Sequence, residues 1–434
     1  MQNTWDREVA VSKRRVFVKT VKSGLQLTTQ DENLGTFIGV FTPSILTILG
    51  VIMYLRAGWV VGNVGLLGAL QIVVIANLVT LVTALSVSAI ATNMKVGTGG
   101  AYFMISRSLG IEVGTAIGIP LFLAMAFSVT LYAFGLAESV LVVWEDAPQR
   151  PIAALTILVV AALAARGAGV ALKLQIPIMV GVALSLAALV YGVATNTTGS
   201  LPMRDTIANP EEFWTVFAVF FPAVTGILAG VSLSGDLKKP QKSIPIGSIA
   251  AVLTGFAVYV SVPILLALAA TPDELAKNSL IWFDLAGPFG FLILWGLWGA
   301  IFSSAVGSVL SAPRTLGAMV DDRVIPRVFG KRVRLIRGPG MPLVITFGLA
   351  LAGVGLGDMD AVAPILTMFF LAAYGTINLV AGAESLAGDP SFRPRLKVPW
   401  WLSIAAAIAC FWVMFLVNPF ALGLALLFEF GIYF

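Results

Sequence analysis

The sequence of 434 residues contains no histidine. That removes an imidazole proton relay and any histidine-ligated metal site. It contains one cysteine, Cys410, which excludes an intramolecular disulfide. Charge is scarce: Asp, Glu, Lys and Arg make up 11% of the chain against 58% hydrophobic residues, and the mean hydropathy is +0.95. A water-soluble globular domain does not have that balance. No GxxxxGK(S/T) loop occurs, which excludes a nucleotide motor of that type. No set of nucleophile, base and oxyanion donors can be assembled, so the chain does not read as an enzyme. The start, Met1 to Glu32, is polar and basic with no apolar stretch, and does not read as a cleaved signal peptide. The net charge of +5 is no footprint for nucleic acid, because the basic residues sit in short loops.

What is there is a series of apolar runs long enough to cross a bilayer. They predict an all-α polytopic membrane protein with twelve transmembrane helices, at roughly 36–60, 66–92, 114–143, 151–167, 170–196, 212–236, 245–270, 288–318, 342–357, 361–388, 399–416 and 418–434. Residues 1–33 are then a cytosolic N-terminal segment and 34–434 the transmembrane domain. With the N-terminus inside, the inner side collects Arg7, Lys13, Arg14, Arg15, Lys19, Lys22, Lys95, Arg107, Arg166, Lys173, Lys238, Lys239 and Lys242. It also takes Arg323, Arg327, Lys331, Arg332, Arg334 and Arg337 from the 319–341 loop, then Arg393, Arg395 and Lys397. The outer side keeps Arg150, Arg204 and Lys277 and is otherwise acidic, with Asp273, Glu274, Asp358 and Asp360 among its residues. This asymmetry is the one expected of cytoplasmic against external loops. Thr271-Pro272-Asp273-Glu274 reads as a capping box that opens a short outer helix.

Two of the apolar runs carry the same interruption. The first reads PSILTILG from Pro43 to Gly50; the sixth reads PAVTGILAG from Pro222 to Gly230. Proline removes a backbone donor and glycine weakens a helix, so both runs are expected to unwind near mid-membrane. Unwound backbone is tolerated there only where protein buries it or a watery cavity receives it. Span 1 and span 6 run in opposite directions, so 35–197 and 211–388 form candidate five-span halves of an inverted repeat, with 399–434 outside it. Paired breaks of this kind point to a transporter binding site; the alternative is that each proline and glycine only kinks a packed helix. Free carbonyls and the Thr47 and Thr225 hydroxyls suit a hard cation. Amides at Gly50, Val51 and Ile52, and at Gly226, Ile227 and Leu228, open half-helices and suit an anion. No Asp or Glu sits at mid-depth in spans 1, 6, 8 or 10, so a cation bound there needs a co-bound anion. Ser303 and Ser304 in span 8 offer adjacent hydroxyls, with small-residue helix packing as the alternative. Tyr132 and Tyr374 are phenols in apolar surroundings that want a partner, whether an ion or a structural group. Arg56 and Glu138 stand at the outer ends of spans 1 and 3, either as an outer-gate ion pair or as snorkelling side chains.

Several stretches resemble the cation–chloride cotransporters: GVIMYLR at Gly50 to Arg56, SVSAIATN at Ser86 to Asn93, GGAYFMISRSLG at Gly99 to Gly110, and FFPAVTGILAG at Phe220 to Gly230. Ser234-Gly-Asp236, Pro240-Gln, Ser311-Ala-Pro313 and the Tyr374 segment match as well, so the resemblance covers nearly all of Leu34 to Phe434. It implies the amino acid–polyamine–cation superfamily and its LeuT-like five-plus-five fold with discontinuous helices 1 and 6. It places potassium at Tyr132, Pro222 and Thr225, with Ile48 and Thr47 on span 1, where Thr47 replaces the family's asparagine. Sodium falls on Ser303 and Ser304 with the carbonyls of Ala300, Leu46 and Leu49. That serine pair marks the sodium-dependent branch. One chloride falls on Gly50, Val51 and Ile52, the other on Gly226, Ile227, Leu228 and the Tyr374 hydroxyl. Members usually carry a large cytosolic C-terminal domain that holds a homodimer together, whereas this sequence ends at Phe434 with its last span.

The expected activity is therefore electroneutral symport of sodium, chloride and, by the resemblance, potassium, by alternating access and without a cofactor. The expected setting is the plasma membrane, and the expected partners are the lipid bilayer and inorganic ions. Two rivals stand beside it. A sodium-coupled amino acid or polyamine transporter would use the span 1 amides for a carboxylate, although the glycine-rich span 1 motif of those proteins is replaced here by Thr47-Ile-Leu-Gly50. A non-transporting accessory subunit would keep the fold alone.

Overall fold

A computed structural model describes residues 34–93, 100–166, 169–196, 203–331, 340–388 and 392–433. The N-terminal segment 1–33 with its basic residues, and also Lys95, Gly99, Arg332, Arg334, Arg337 and the side chains of Arg166 and Lys173, lie outside the described residues. Almost everything described is helix. The one extended pairing among the described residues is a parallel bridge between Leu34 and Leu237.

A π-turn at Phe37–Phe41 leads into α1, Thr42–Ile48, and α2 runs Val51–Asn93. The whole run Phe37–Asn93 is 57 residues long, about twice what one bilayer crossing needs. It bends at Gly65, whose φ of 70° and ψ of 171° no helix accommodates. A Cβ at Gly65 would also come within 3.2 Å of the Arg204 backbone, so that loop settles against the bend. Next come α3 (Gly100–Leu109), α4 (Ile111–Ser139), α5 (Gln149–Arg166) and α6 (Gly169–Asn196). The second interrupted run follows: α7 (Phe213–Phe220), a 3-10 turn at Phe221–Val224, then α8 (Ile227–Val231). Beyond it lie α9 (Pro240–Ala269), α10 (Pro272–Lys277), α11 (Ile281–Ala286) and α12 (Gly290–Asp321). The chain closes with α13 (Met341–Val354), α14 (Met359–Ala387), α15 (Trp400–Val417) and α16 (Pro419–Tyr433).

Among the described residues, eight helical segments are long and apolar enough to cross a membrane. Two further apolar helices, at Gln149–Ala162 and Met341–Val354, are shorter. The chain is an integral, multi-pass membrane protein. Large apolar side chains remain exposed along its helices, including Leu155, Val190, Phe291, Trp412 and Phe420, as a lipid-facing surface requires.

The run bearing α7 and α8 is the most enclosed of these segments: 94% of its apolar window is buried, against 33% for α15. It packs against α1 and α2 with α9, α12 and α14 around it. Long-range hydrogen bonds join these helices where polar side chains would otherwise be orphaned in an apolar interior. Thr367 donates to the Ala218 carbonyl at 2.5 Å, Thr130 to the Ala350 carbonyl at 2.8 Å, and Asn378 to the Thr83 hydroxyl at 2.7 Å. The capping box forms: Glu274 N–H donates to the Thr271 hydroxyl, and the Thr271 backbone N–H donates to the Glu274 carboxylate. The Thr271 backbone N–H, and after it the Thr271 hydroxyl, donate to the exposed Glu274 carboxyl and hold it below the usual carboxylate range.

The two interruptions touch each other. A Cβ added at Gly226 would lie 2.8 Å from the Ile48 nitrogen and 2.8 Å from the Ser44 carbonyl oxygen, both backbone atoms. Gly230 is as close to Val40 and Ser44, and Gly255 of α9 to Ile48. Gly226→Ala is expected to force the breaks apart at a cost of about 1–3 kcal/mol. A lowered melting temperature of the purified protein would register it; an unchanged melt would mean the breaks do not depend on this contact.

Candidate functional site

Each break has its own geometry. Ile48 ends α1, Leu49 leaves the helical region at φ −81° and ψ 46°, and Gly50 makes the bend into Val51. The proline lies upstream, where the π-turn runs into α1. In the second run, Pro222 sits inside the 3-10 turn, and Thr225 at φ −83° and ψ 4° precedes Gly226. Gly50, Val51, Ile52, Gly226, Ile227 and Leu228 are all buried. The first amides of α2 and α8 have no acceptor within their own helix, because the first turn of any helix leaves its N–H groups unpaired there.

Side chains from other helices reach the two breaks. Ser304 on α12 donates to the Leu46 carbonyl at 3.3 Å. Ala300, one turn earlier, is fully buried. Tyr374 on α14 donates to the Thr225 carbonyl at 2.9 Å. Tyr132 on α4 lies near the hydroxyls of Ser304 and Ser308. Thr47 and Thr225 each turn the hydroxyl back to their own helix: Thr47 donates to the Pro43 carbonyl and Thr225 to the Pro222 carbonyl, both at 2.8 Å.

The structure thus brings Leu46 to Ser304, Thr225 to Tyr374, Ser304 to Tyr132, and Gly226 to Ile48. It separates the serine pair. Ser304 is 1% exposed and faces Leu46, whereas its neighbour Ser303 is half-buried and lines a cleft with Thr47. Successive residues on a helix point about 100° apart, so Ser303 opens on the cleft while Ser304 faces the Leu46 carbonyl.

Tyr259 on α9 is a participant that the sequence did not single out. Its hydroxyl donates to the Ile48 carbonyl at 2.6 Å, at the very end of α1. The signal was there, since it too is a lone phenol in an apolar span, as Tyr132 and Tyr374 are.

At one end of the bundle Arg56 of α2 gathers two carboxylates. It binds Glu138 through both terminal nitrogens, at 2.8 and 3.0 Å, and Asp360 through Nε and Nη2, at 2.6 and 3.1 Å. A fifth bond, 3.1 Å long, goes to the Leu55 carbonyl. All five guanidinium donors are in use. Asp360 is the member missing from the sequence reading, which left it among loop acids. At the other end, Arg107 binds Asp322 at 2.5 Å and the Tyr102 hydroxyl donates to the same carboxylate at 3.0 Å. Burial, followed by this bond to Asp322, pushes the Tyr102 phenol above its ordinary value. Arg314 of α12 holds the Ser232 carbonyl at 3.2 Å and Asp236 at 3.3 Å.

A helical membrane protein with two interrupted helices meeting in its interior, and with charges drawn into clusters at the two ends, belongs to the class of membrane transporters. Residues 39–433 match the family model described as amino acid permease, and the chain belongs to that family. Within it, the likeness to the cation–chloride cotransporters extends over most of the chain. Solute carrier family 12 member 2 of Mus musculus is 32% identical over 465 residues, covering 92% of this chain and 38% of the relative. The protein of the same name from Squalus acanthias is 34% identical, covering 89% and 38%. Solute carrier family 12 member 1 of Mus musculus is 30% identical, covering 91% and 42%. This chain spans about two fifths of the length of these curated relatives.

Arg56 has a side chain only 8% exposed, and Glu138's is 13% exposed, while Asp360's is 45% exposed. Removing one partner of a buried pair strands the other charge, at a cost of about 3–5 kcal/mol. Arg56→Gln is therefore expected to lower the melting temperature well beyond Asp360→Asn, whose partner keeps Glu138. Equal shifts from the two variants would show that burial does not set the cost here.

Proposed function

We propose that this chain is a secondary symporter that moves sodium and chloride together, with potassium as the third ion, by alternating access. One observation carries the reading. Where the two breaks meet, carbonyls, hydroxyls and helix-opening amides converge, and no carboxylate is among them. The donors at hand are Leu46, Ser304, Thr225, Tyr374 and the amides that open α2 and α8. Carbonyl and hydroxyl oxygens serve a hard cation. Amides at a helix start serve an anion. A cation held there without a protein carboxylate needs an anion beside it to offset its charge, and so a salt is the natural cargo.

In this reading sodium uses Leu46, Leu49, Ala300, Ser303 and Ser304. Potassium uses Thr47, Ile48, Tyr132, Pro222 and Thr225. Chloride uses Gly50, Val51 and Ile52 at one place, and Gly226, Ile227, Leu228 and Tyr374 at the other. The architecture is twelve crossings in a five-plus-five inverted repeat, set in the plasma membrane with the N-terminus in the cytoplasm. The Arg56 cluster closes the external side and the Arg314 end faces inward. A homodimer is the assembly that the relatives suggest. The similarity to solute carrier family 12 supports salt over amino acid as the substrate, as does Thr47-Ile-Leu-Gly50 in place of a glycine-rich turn.

Rubidium and sodium tracer uptake into proteoliposomes tests this, with sodium and chloride withdrawn in turn. Rubidium uptake that needs both ions and ignores the membrane potential is the expected result. Chloride-dependent sodium flux without rubidium would remove potassium, as Thr47 in place of asparagine would explain. Amino acid-driven sodium flux without chloride dependence would overturn the reading.

A further inference from the structure

Beside the meeting point of the breaks lies a narrow cleft with about 30 Å³ of free space, enough for one water-sized occupant. Pro43, Thr47, Gln175, Ser303, Gly307 and Arg314 are among the residues that line it, and no carboxylate does. Gln175 comes from α6, a helix that the site described so far does not use. Its side chain is 7% exposed, and its amide oxygen has no hydrogen-bond partner among the described residues. A buried carbonyl oxygen left unmatched in an apolar interior is costly, and the cost is lifted only by a donor or a cation.

The neighbouring oxygens are arranged alike. Thr47 has given its proton to the Pro43 carbonyl, so what its hydroxyl can still offer is lone pairs. Ser303 lines the same cleft, next along α12 to the Ser304 that meets the Leu46 carbonyl. Arg314, also in the lining, is engaged with Asp236 and the Ser232 carbonyl.

We propose that Gln175 is a cation ligand: with Ser303 and Thr47 it forms a staging site for a partly dehydrated alkali cation, between the Ser304–Leu46 contact and the Arg314–Asp236 pair. Three neutral oxygens suit a monovalent ion, which has to be released on every cycle. The inference rests on the symport reading and adds to it a helix and a residue. The cation passes from Ser304 to Ser303 by crossing from one face of α12 to the next, and Gln175 receives it on the far side.

The test is equilibrium binding of radiolabelled sodium to the purified full chain, with chloride titrated separately. Gln175→Leu keeps the bulk and deletes the oxygen; sodium affinity should fall about tenfold with the chloride dependence unchanged. Gln175→Glu keeps an oxygen in place and adds charge; it should bind sodium at least as tightly as the natural chain, and it decides the matter should the leucine variant fail to fold. Wild-type sodium affinity in Gln175→Leu would mean that a water fills the cleft and would overturn the proposal. So would a weakened Gln175→Glu, or a shift in chloride affinity in place of sodium. Absence of sodium binding in the natural chain would overturn the symport reading, and this inference with it, and so separates the two failures.

Discussion

Everything at the centre of this protein depends on the contact between two pieces of backbone that have left the helix. A bilayer interior offers no water to satisfy them, so each break survives only because the protein encloses it. Gly226 makes the enclosure mutual, since a hydrogen in place of a side chain lets the second break rest on Ile48 and Ser44 of the first. Tyr259, Tyr374 and Ser304 then take up carbonyls at Ile48, Thr225 and Leu46. The helices that carry these three side chains are held in register by the atoms they must satisfy.

The distribution of charge follows the same economy. Ionised side chains are drawn into clusters at the ends of the bundle, where opposite charges neutralise them: Arg56 with Glu138 and Asp360 at one end, Arg107 with Asp322 and Arg314 with Asp236 at the other. The middle is left to neutral dipoles. Dipoles bind ions less tightly than full charges do, a weakness that would suit the proposed symport, in which the cargo has to be released on the far side.

Much of this was legible in the sequence. Pro43 with Gly50, and Pro222 with Gly226, marked both interrupted runs, and Thr271 to Glu274 marked the capped helix, because those signals are local. Even there, the unwinding falls at Leu49–Gly50 and Thr225–Gly226, past the prolines, and the Ala218 carbonyl, four residues before Pro222, takes its hydrogen bond from Thr367. What lay beyond reading was partnership at long range. Arg56 and Asp360 stand 304 residues apart, and nothing near Asp360 separates it from an ordinary helix-opening acid. Tyr259 carried the same signal as Tyr132 and Tyr374, but its partner, the Ile48 carbonyl, lies 211 residues away and shows only once the neighbouring helix is known. For Ser303 and Ser304, adjacency along the chain did not show that one is buried against Leu46 while the other lines the cleft beside Thr47.

Tyr374 carries a last consequence. A phenol has a single proton to donate, and here it goes to the Thr225 carbonyl. An anion that draws this proton away leaves that carbonyl with an unspent lone pair, and so makes the surroundings of Thr225 more attractive to a positive charge. The reverse exchange holds as well. Under the proposed symport, binding of one sign at this spot would alter the welcome offered to the other, so that the two affinities would be coupled through one shared hydrogen atom, with no moving part larger than a hydroxyl.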